Sequence, residues 1–451
     1  MKGHQKNKVL IIAYPTQGHI NPSLCFATRL LKFGVNVTFC TSFYAIRRID
    51  TQTTHHGLTL APIFDRHHNG QQPTLQQFFS DFATNGVCAV DEIIRSATAT
   101  SQPFDHLVYT TVVPWATQVA AAHSLESTLL WCQPATLLDI YYYYFNGYQD
   151  LISCNNNPTF PINLPGLPPI TTSDLPSILL SSCPKEQQFI VQILKDHIDA
   201  VKIAPRILVN TFDELELEPI RAIEKLVMLP VGPLMPLELL DGRGPSNNSF
   251  SCDLFEKPEE DYVKWLSTKP KLSVVYASFG SLSTLSIDQA EEMASGLLES
   301  GRPFLWVIRE GDQLVKLSKI DELKKQGMIV SWCSQVEVLN HEAIGCFLTH
   351  CGWNSTIEAL VAGVPTIAFA QWSDQVTNAK MIEDVWKTGV KVKRRERDGM
   401  VEGNEIKRCV EIVMQDREMR RNAEKWRELA RKALNDGESS TLNLQAFLYD
   451  P

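Results

Sequence analysis

No stretch of this 451-residue chain approaches the ~20 consecutive apolar residues that span a bilayer. The apolar run in MKGHQKNKVLIIAYPTQGH stops at Pro15 with no small-residue cleavage site after it, so it reads as a buried strand rather than a leader. The eleven cysteines form no C-x-x-C pair, which fits a reducing compartment. Without export, the acceptor patterns Asn36-Val-Thr38 and Asn247-Asn-Ser249 carry no sugar. A net charge of −9 leaves no excess of cations for a nucleic-acid backbone. The fingerprints G-x-G-x-x-G, G-x-x-x-x-G-K-[ST] and G-x-S-x-G are all missing, which disfavours a dehydrogenase, a P-loop NTPase and an α/β-hydrolase in turn.

What is present is an ordinary globular composition, 44% apolar and 21% charged, over a length suited to two domains of roughly 200 residues. The first half alternates strands and helices. Val9–Tyr14 is a strand, Asn21 and Pro22 are placed to open a helix, and Val35–Thr41 is the next strand. His106–Thr111, Ser127–Trp131 and Arg206–Thr211 follow as strands, the last ending this half. A long Pro/Asn/Ser-rich loop covers 155–180. Leu229–Ser249, rich in Pro and Gly, supplies the linker region. The pattern restarts at Leu272–Ser281, and Ser286-Ile-Asp-Gln289 has the form of a capping box. FLWVIR, MIVSW, GCFLTH, TIAFA and GVKVK are further short strands. The expectation is an α/β protein of two Rossmann-like domains facing each other across a cleft. The boundaries are 1–240, a linker at 241–255, and 256–451, with the last helix packing back on the first domain.

Residues 332–375 form one ordered run, WCSQVEVLNHEAIGCFLTHCGWNSTIEALVAGVPTIAFAQWSDQ. It offers an aromatic plate at Trp332 and a histidine, His350, at a strand end. Gly352 lets the backbone approach a ligand, Asn354 or Ser355 could cap the helix that follows, and the free N–H groups there suit an anion. After another strand the run closes on Asp374-Gln375. This run resembles, almost residue for residue, the signature box of the plant secondary-product UDP-glycosyltransferases, and the likeness extends over essentially the whole chain. The resemblance implies the GT-B fold and a UDP-sugar donor. It places Trp332 on uracil, Cys333 at the base edge, Gln335 and Glu358 by the ribose, and His350, Ser355 and Ser281 by the phosphates. Trp353 and Asn354 would lie by phosphate and sugar, and Asp374 and Gln375 on the hexose, Gln375 pointing to glucose. No D-x-D triplet occurs, so a divalent-cation clamp on the diphosphate is unsupported, and no cofactor beyond the donor is expected.

The match of Pro15–Pro22 to the family's catalytic loop implies that His19 is the general base, with Gly18 beside it on the donor side. A histidine near a helix N-terminus is held neutral, as a base must be. In most relatives an Asp stands where this chain has Thr110, which can hydrogen-bond an imidazole but cannot balance its charge. The same replacement resembles the anthocyanin and flavonoid 5-O-glucosyltransferase branch. The expected reaction is inverting transfer of glucose to a hydroxyl of a flat phenolic, lined by Phe78, Phe79, Trp115, Gln133, Tyr141, Tyr142 or Phe145. Ester formation on a small carboxylic acid is the enzyme alternative, and a catalytically weak UDP-sugar-binding protein the third. The paired histidines His55-His56 and His67-His68 have no nearby carboxylate and are read as solvent-facing rather than metal-binding. A cytoplasmic monomer with small-molecule partners completes the expectation.

Overall fold

The computed structural model describes residues 6–49, 56–64, 74–153, 157–181, 183–236, 261–281, 283–309 and 317–449. In the first half the strands are β1 (Lys8–Ile12), β2 (Asn36–Ser42), β3 (Leu58–Ile63), β4 (His106–Thr110), β5 (Ser127–Trp131), the short hairpin β6 (Pro161–Ile162) and β7 (Ile170–Thr171), β8 (Arg206–Val209) and β9 (Val227–Pro230). In the second half they are β10 (Val274–Ser278), β11 (Phe304–Val307), β12 (Met328–Val330), β13 (Ile344–Thr349), β14 (Thr366–Ala368) and β15 (Gly389–Lys391).

The seven-stranded sheet has the order β3-β2-β1-β4-β5-β8-β9, and the six-stranded one β12-β11-β10-β13-β14-β15. Every pair in both sheets is parallel. Parallel sheets are covered by helices on both faces, which is why VLII and GCFLT read as unbroken apolar runs and are buried throughout. The order reverses between β1 and β4 in one sheet and between β10 and β13 in the other. Ligands of doubly wound sheets sit at such switch points, beyond the carboxyl ends of the strands. His19 follows β1, Ser281 follows β10 and His350 follows β13, so both switch points carry residues singled out by the sequence.

Several boundaries differ from expectation. The first helix, α1 (Gln17–Lys32), has Thr16 rather than Asn21 as its N-cap, so Pro22 lies inside it and His19 sits in its first turn. Pro22 has no N–H to donate to the carbonyl of Gly18 four residues back. That carbonyl instead accepts from Asn354 Nδ2 at 3.1 Å, a side chain of the other half, which explains how the helix tolerates the proline. The strand at Arg206 is not the last of its sheet. Val227–Pro230 adds β9 beside it, so the Pro/Gly-rich passage begins as sheet. The expected linker at 241–255 lies outside the described residues, as do His55, His67, His68 and the Asn247 pattern. At Ser286 only half of the capping box forms. Ser286 Oγ accepts from the N–H of Gln289, while the Gln289 side chain bonds both backbone groups of Val401. The strand β3 and the long helix Leu75–Ala99 are elements that periodicity passed over.

The last helix, Ser439–Tyr449, packs on the first sheet. Phe447 is buried against Phe26, Asn443 Nδ2 donates to the Pro230 carbonyl at 2.9 Å, and Lys6 Nζ donates to the Phe447 carbonyl at 2.7 Å. No helix among the described residues is long and apolar enough to cross a membrane. Arg29 of α1, itself buried, donates to the carbonyls of Val231 and Pro233 and so ties the chain leaving β9 to the first helix. Replacing it by methionine would leave two buried acceptors unpaired. Arg29→Met is therefore expected to lower unfolding stability by about 3 kcal/mol, read as a reduced urea midpoint at unchanged m-value.

Candidate active site

One cleft of about 610 Å³ runs between the ends of the two sheets, within the range of small-molecule sites. It is lined by Gly18 and His19 from the first half. From the second come Ser281, Trp332, Cys333, Gln335, His350, Trp353, Asn354, Ser355, Glu358, Asp374 and Gln375. Of the catalytic and donor-binding residues proposed from the sequence, Thr110 alone stands outside this lining.

β13 delivers His350, and Cys351 (φ +64°) and Gly352 turn the chain into the helix Trp353–Ala362, which ends on left-handed Gly363. Gly352, not Asn354 or Ser355, is the N-cap, and no side chain caps this helix. The intrahelical ladder starts with Thr356 donating to the Gly352 carbonyl. The N–H groups ahead of it are therefore left for an anion, in the positive potential of the helix end. Asn354 and Ser355 are committed elsewhere: Asn354 to Gly18, and Ser355 Oγ to Gln335 Nε2 at 2.8 Å.

His350 is wedged between two glycines. A Cβ on either Gly280 or Gly352 would lie 2.6 Å from its ring, and Gly280 adopts φ +72° besides. Burial, assisted by the nearby charge of Arg309, lowers its pKa to about 4, so the ring is neutral and can donate to or accept from a ligand. Gln335 knits the adjoining wall together. Its carbonyl accepts from Tyr276 OH at 3.2 Å, and its amide donates to Ser355 Oγ and, at 2.6 Å, to Glu358 Oε2. Burial pushes Glu358 up to about 7 against the lowering effect of that hydrogen bond.

At the far end Gln375 is buried, and its carbonyl oxygen accepts the N–H groups of Gln371 (2.8 Å) and Trp372 (3.2 Å). Its NH₂ is the remaining polar group for a ligand. Asp374 accepts from Asn378 Nδ2 at 3.0 Å, and burial raises it to about 6.

On the opposite wall the His19 ring meets Tyr14 edge-on at 5.6 Å, and Phe79 stacks on Tyr14 at 4.7 Å. His19 Nδ1 is buried without a hydrogen-bond partner, and burial lowers the ring's pKa to about 4. The Nε2 edge is the one left for the cleft. No hydrogen bond joins Thr110 to His19. Its Oγ1 accepts the N–H of Tyr14 at 3.0 Å, because parallel pairing of β1 with β4 brings that strand end beside it. Phe78, Phe79, Gln133 and Tyr141 line the cleft, but Trp115, Tyr142 and Phe145 do not. Trp115 fills the space over Gly86 under the helix Leu75–Ala99, and Phe145 packs edge-on against Tyr144.

Sequence reasoning missed His197, whose Nε2 accepts the N–H of Val112 at 2.8 Å and so holds that residue at φ +67° on the cleft wall. It also missed Asn210, whose carbonyl accepts Trp353 Nε1 at 2.8 Å across the cleft. Neither carries a local signal, since each acts on a residue distant in sequence. Among the described residues no group of three His, Cys, Asp or Glu is arranged to hold a metal.

Two doubly wound halves facing one cleft, with an uncapped helix end and a polar wall inside it, fit a sugar-nucleotide transferase of GT-B architecture. Comparison agrees. The family described as UDP-glucoronosyl and UDP-glucosyl transferase matches residues 247–432. The crocetin glucosyltransferase (chloroplastic) of Gardenia jasminoides is 49% identical, over 99% of this chain and 98% of that protein. The anthocyanidin 3-O-glucoside 5-O-glucosyltransferase of Verbena hybrida is 45% identical over 98% of each. Os79 from O. sativa, solved with UDP, superposes with TM-score 0.85 at 30% identity, covering 98% of this chain and 99% of that one. The chain belongs to the plant UDP-glycosyltransferases.

A methyl group at residue 280 would force His350 from its slot. Gly280→Ala is expected to weaken UDP binding at least about tenfold by calorimetry, through combined strain and displacement.

Proposed function

We propose that this enzyme transfers glucose from UDP-glucose to a hydroxyl of a flat phenolic of the flavonoid or anthocyanin type, with inversion. The observation that carries the reading is the position of His19. A buried, neutral imidazole presents one nitrogen to the same cleft that holds the uncapped helix end and His350. In the proposed step the acceptor O–H gives its proton to His19 Nε2 while its oxygen bonds to the anomeric carbon. The bond from that carbon to the β-phosphate oxygen breaks on the opposite face, and UDP leaves with the electron pair. Attack opposite the leaving group turns an α-linked donor into a β-glucoside.

The donor side is assigned accordingly. Trp332 and Cys333 hold the uracil, Gln335 and Glu358 the ribose, and Ser281, His350, Trp353, Asn354 and Ser355 the diphosphate. Asp374 and Gln375 read the hexose, with Gly18 closing the site from the other half. The helix end and neutral His350 offset the leaving charge, a role taken by a divalent cation where an acidic triplet is present. Residues 1–240 act as the acceptor half and 256–451 as the donor half, joined through 241–255. Thr110 acts at one remove, by fixing Tyr14, against which His19 rests. We place the protein in the cytosol as a monomer; no disulfide joins the cysteines among the described residues.

One observation favours glucose-ester formation as a second reading. His19 Nδ1 has no carboxylate beside it to steady an imidazolium, and a carboxylate acceptor needs no deprotonation. The two readings part on one variant. His19→Ala is expected to cut turnover of a phenol by at least about 100-fold while leaving UDP affinity intact. Retained phenol glucosylation would sink the base assignment, and loss confined to phenols with carboxylates still turned over would favour the ester reading.

The pH profile follows from the two groups. His19 keeps its proton-accepting form down to about 4, so kcat should stay flat on the acid side where an ordinary histidine would fail. Glu358 accepts ribose hydroxyls best as the carboxylate, formed as pH rises through about 7. The kcat/KM for UDP-glucose should therefore climb through neutrality, and Glu358→Gln should flatten the climb.

A further inference from the structure

We infer that Ser177, in the acceptor half, sets sugar discrimination by holding the hexose-reading turn of the donor half in a strained shape. This rests on the assignment of Asp374 and Gln375 to the hexose. Ser373, immediately before them, has φ +57°, a left-handed conformation that residues with a Cβ avoid. Two reciprocal bonds hold it there: the Ser373 N–H donates to Ser177 Oγ at 2.7 Å, and the Ser177 N–H donates to the Ser373 carbonyl at 3.3 Å.

The grip extends on both sides. Thr377 Oγ1 donates to the Asp174 carbonyl at 2.7 Å, and the Asp174 carboxylate meets Lys391 at 3.3 Å and Lys380 at 3.7 Å. Residues 174–177 of one half thus clasp residues 373–377 of the other. Within the turn, Gln375 spends its carbonyl on the N–H groups of Gln371 and Trp372, so the direction of its NH₂ follows the turn as a rigid piece. If the clasp loosens at Ser373, the turn relaxes toward negative φ and the pair that reads the hexose swings with it. Uridine and diphosphate lie on separate elements, after β12 and β13, and do not feel the change. Ile178, next to the clasp, lines the cleft, so the acceptor pocket and the sugar turn share one short segment.

The test compares UDP with UDP-sugars on the full chain. Ser177→Ala is expected to raise KM for UDP-glucose about tenfold and to reduce the preference for UDP-glucose over UDP-galactose by a similar factor. The Kd for UDP, measured by calorimetry, should stay within about twofold, since UDP carries no hexose. Ser177→Thr, which keeps the hydroxyl, should behave as the unmodified enzyme. Ser177→Ala combined with Ser373→Gly should recover much of the preference, because glycine enters the left-handed region unaided. Equal weakening of UDP and UDP-glucose, an unchanged sugar preference in Ser177→Ala, or no recovery with glycine would overturn the inference. Absence of UDP affinity in the unmodified chain would instead overturn the donor reading beneath it.

Discussion

A proline in the second turn of a helix removes one backbone donor, and in this molecule that missing N–H joins the two halves. Pro22 leaves the Gly18 carbonyl without an intrahelical partner, and Asn354 Nδ2 takes its place. A proline inside a helix costs roughly 3 kcal/mol and one hydrogen bond returns roughly 1. The difference is covered by the apolar face of α1, where Ile20, Leu24, Phe26 and Leu30 are completely buried. The geometric consequence outweighs the energetic one. Gly18 precedes His19, and Asn354 belongs to the turn that starts the anion-binding helix. The contact therefore helps hold His19 beside that helix end. Trp353 to Asn210 and Trp386 to Leu215 repeat the arrangement, each an indole N–H donating to a carbonyl of the other half.

Burial then sets the charge of the cleft. Two histidines line the cleft, yet both are lowered to about 4 by loss of solvent, so neither contributes a fixed positive charge. Two carboxyls, Glu358 and Asp374, are raised by the same cause. These four groups therefore bring no positive charge to the cleft, and its carboxyls are less ionised than free ones. In the proposed donor site, compensation for the diphosphate falls to oriented N–H groups, which need no counter-ion and do not reorganise as charge moves. A neutral His19 is also the form that can receive a proton.

Why some of this was legible in the sequence follows from distance along the chain. The proposed donor residues from Trp332 to Gln375 fall within one stretch whose turns follow β12, β13 and β14, and the resemblance of that stretch suggested their roles. The strands themselves were readable because parallel sheets demand unbroken apolar runs. The start of α1 was not, because Pro22 looks like a first-turn residue unless the partner of the Gly18 carbonyl is known. Thr110 illustrates the same limit: its place in the motif was visible, but its bond to Tyr14 depends on β1–β4 pairing. His197 and Ser177 have no pattern of their own. Their partners lie 85 and 196 residues away, and only the folded chain brings them together. Trp115, Tyr142 and Phe145 show the reverse error, since aromatic residues at helical spacing serve core and pocket alike.

The two walls of the cleft differ in the kind of force that shapes them. On the donor side Gln335 and Gln375 have their carbonyls fixed by directional bonds, and His350 is confined by flanking glycines. Hydrogen bonds to groups held this way weaken steeply when a partner shifts by an ångström. On the acceptor side Phe78, Phe79, Ile178, Ile190 and Leu194 offer contact that depends on area rather than angle. A flat ring can slide or rotate there at small cost while His19 stays in reach of a hydroxyl. One donor with a range of acceptors is the behaviour that this asymmetry favours. The Ser177 clasp is where the two regimes touch, because it lies beside the loosely specified pocket and fixes the closely specified turn.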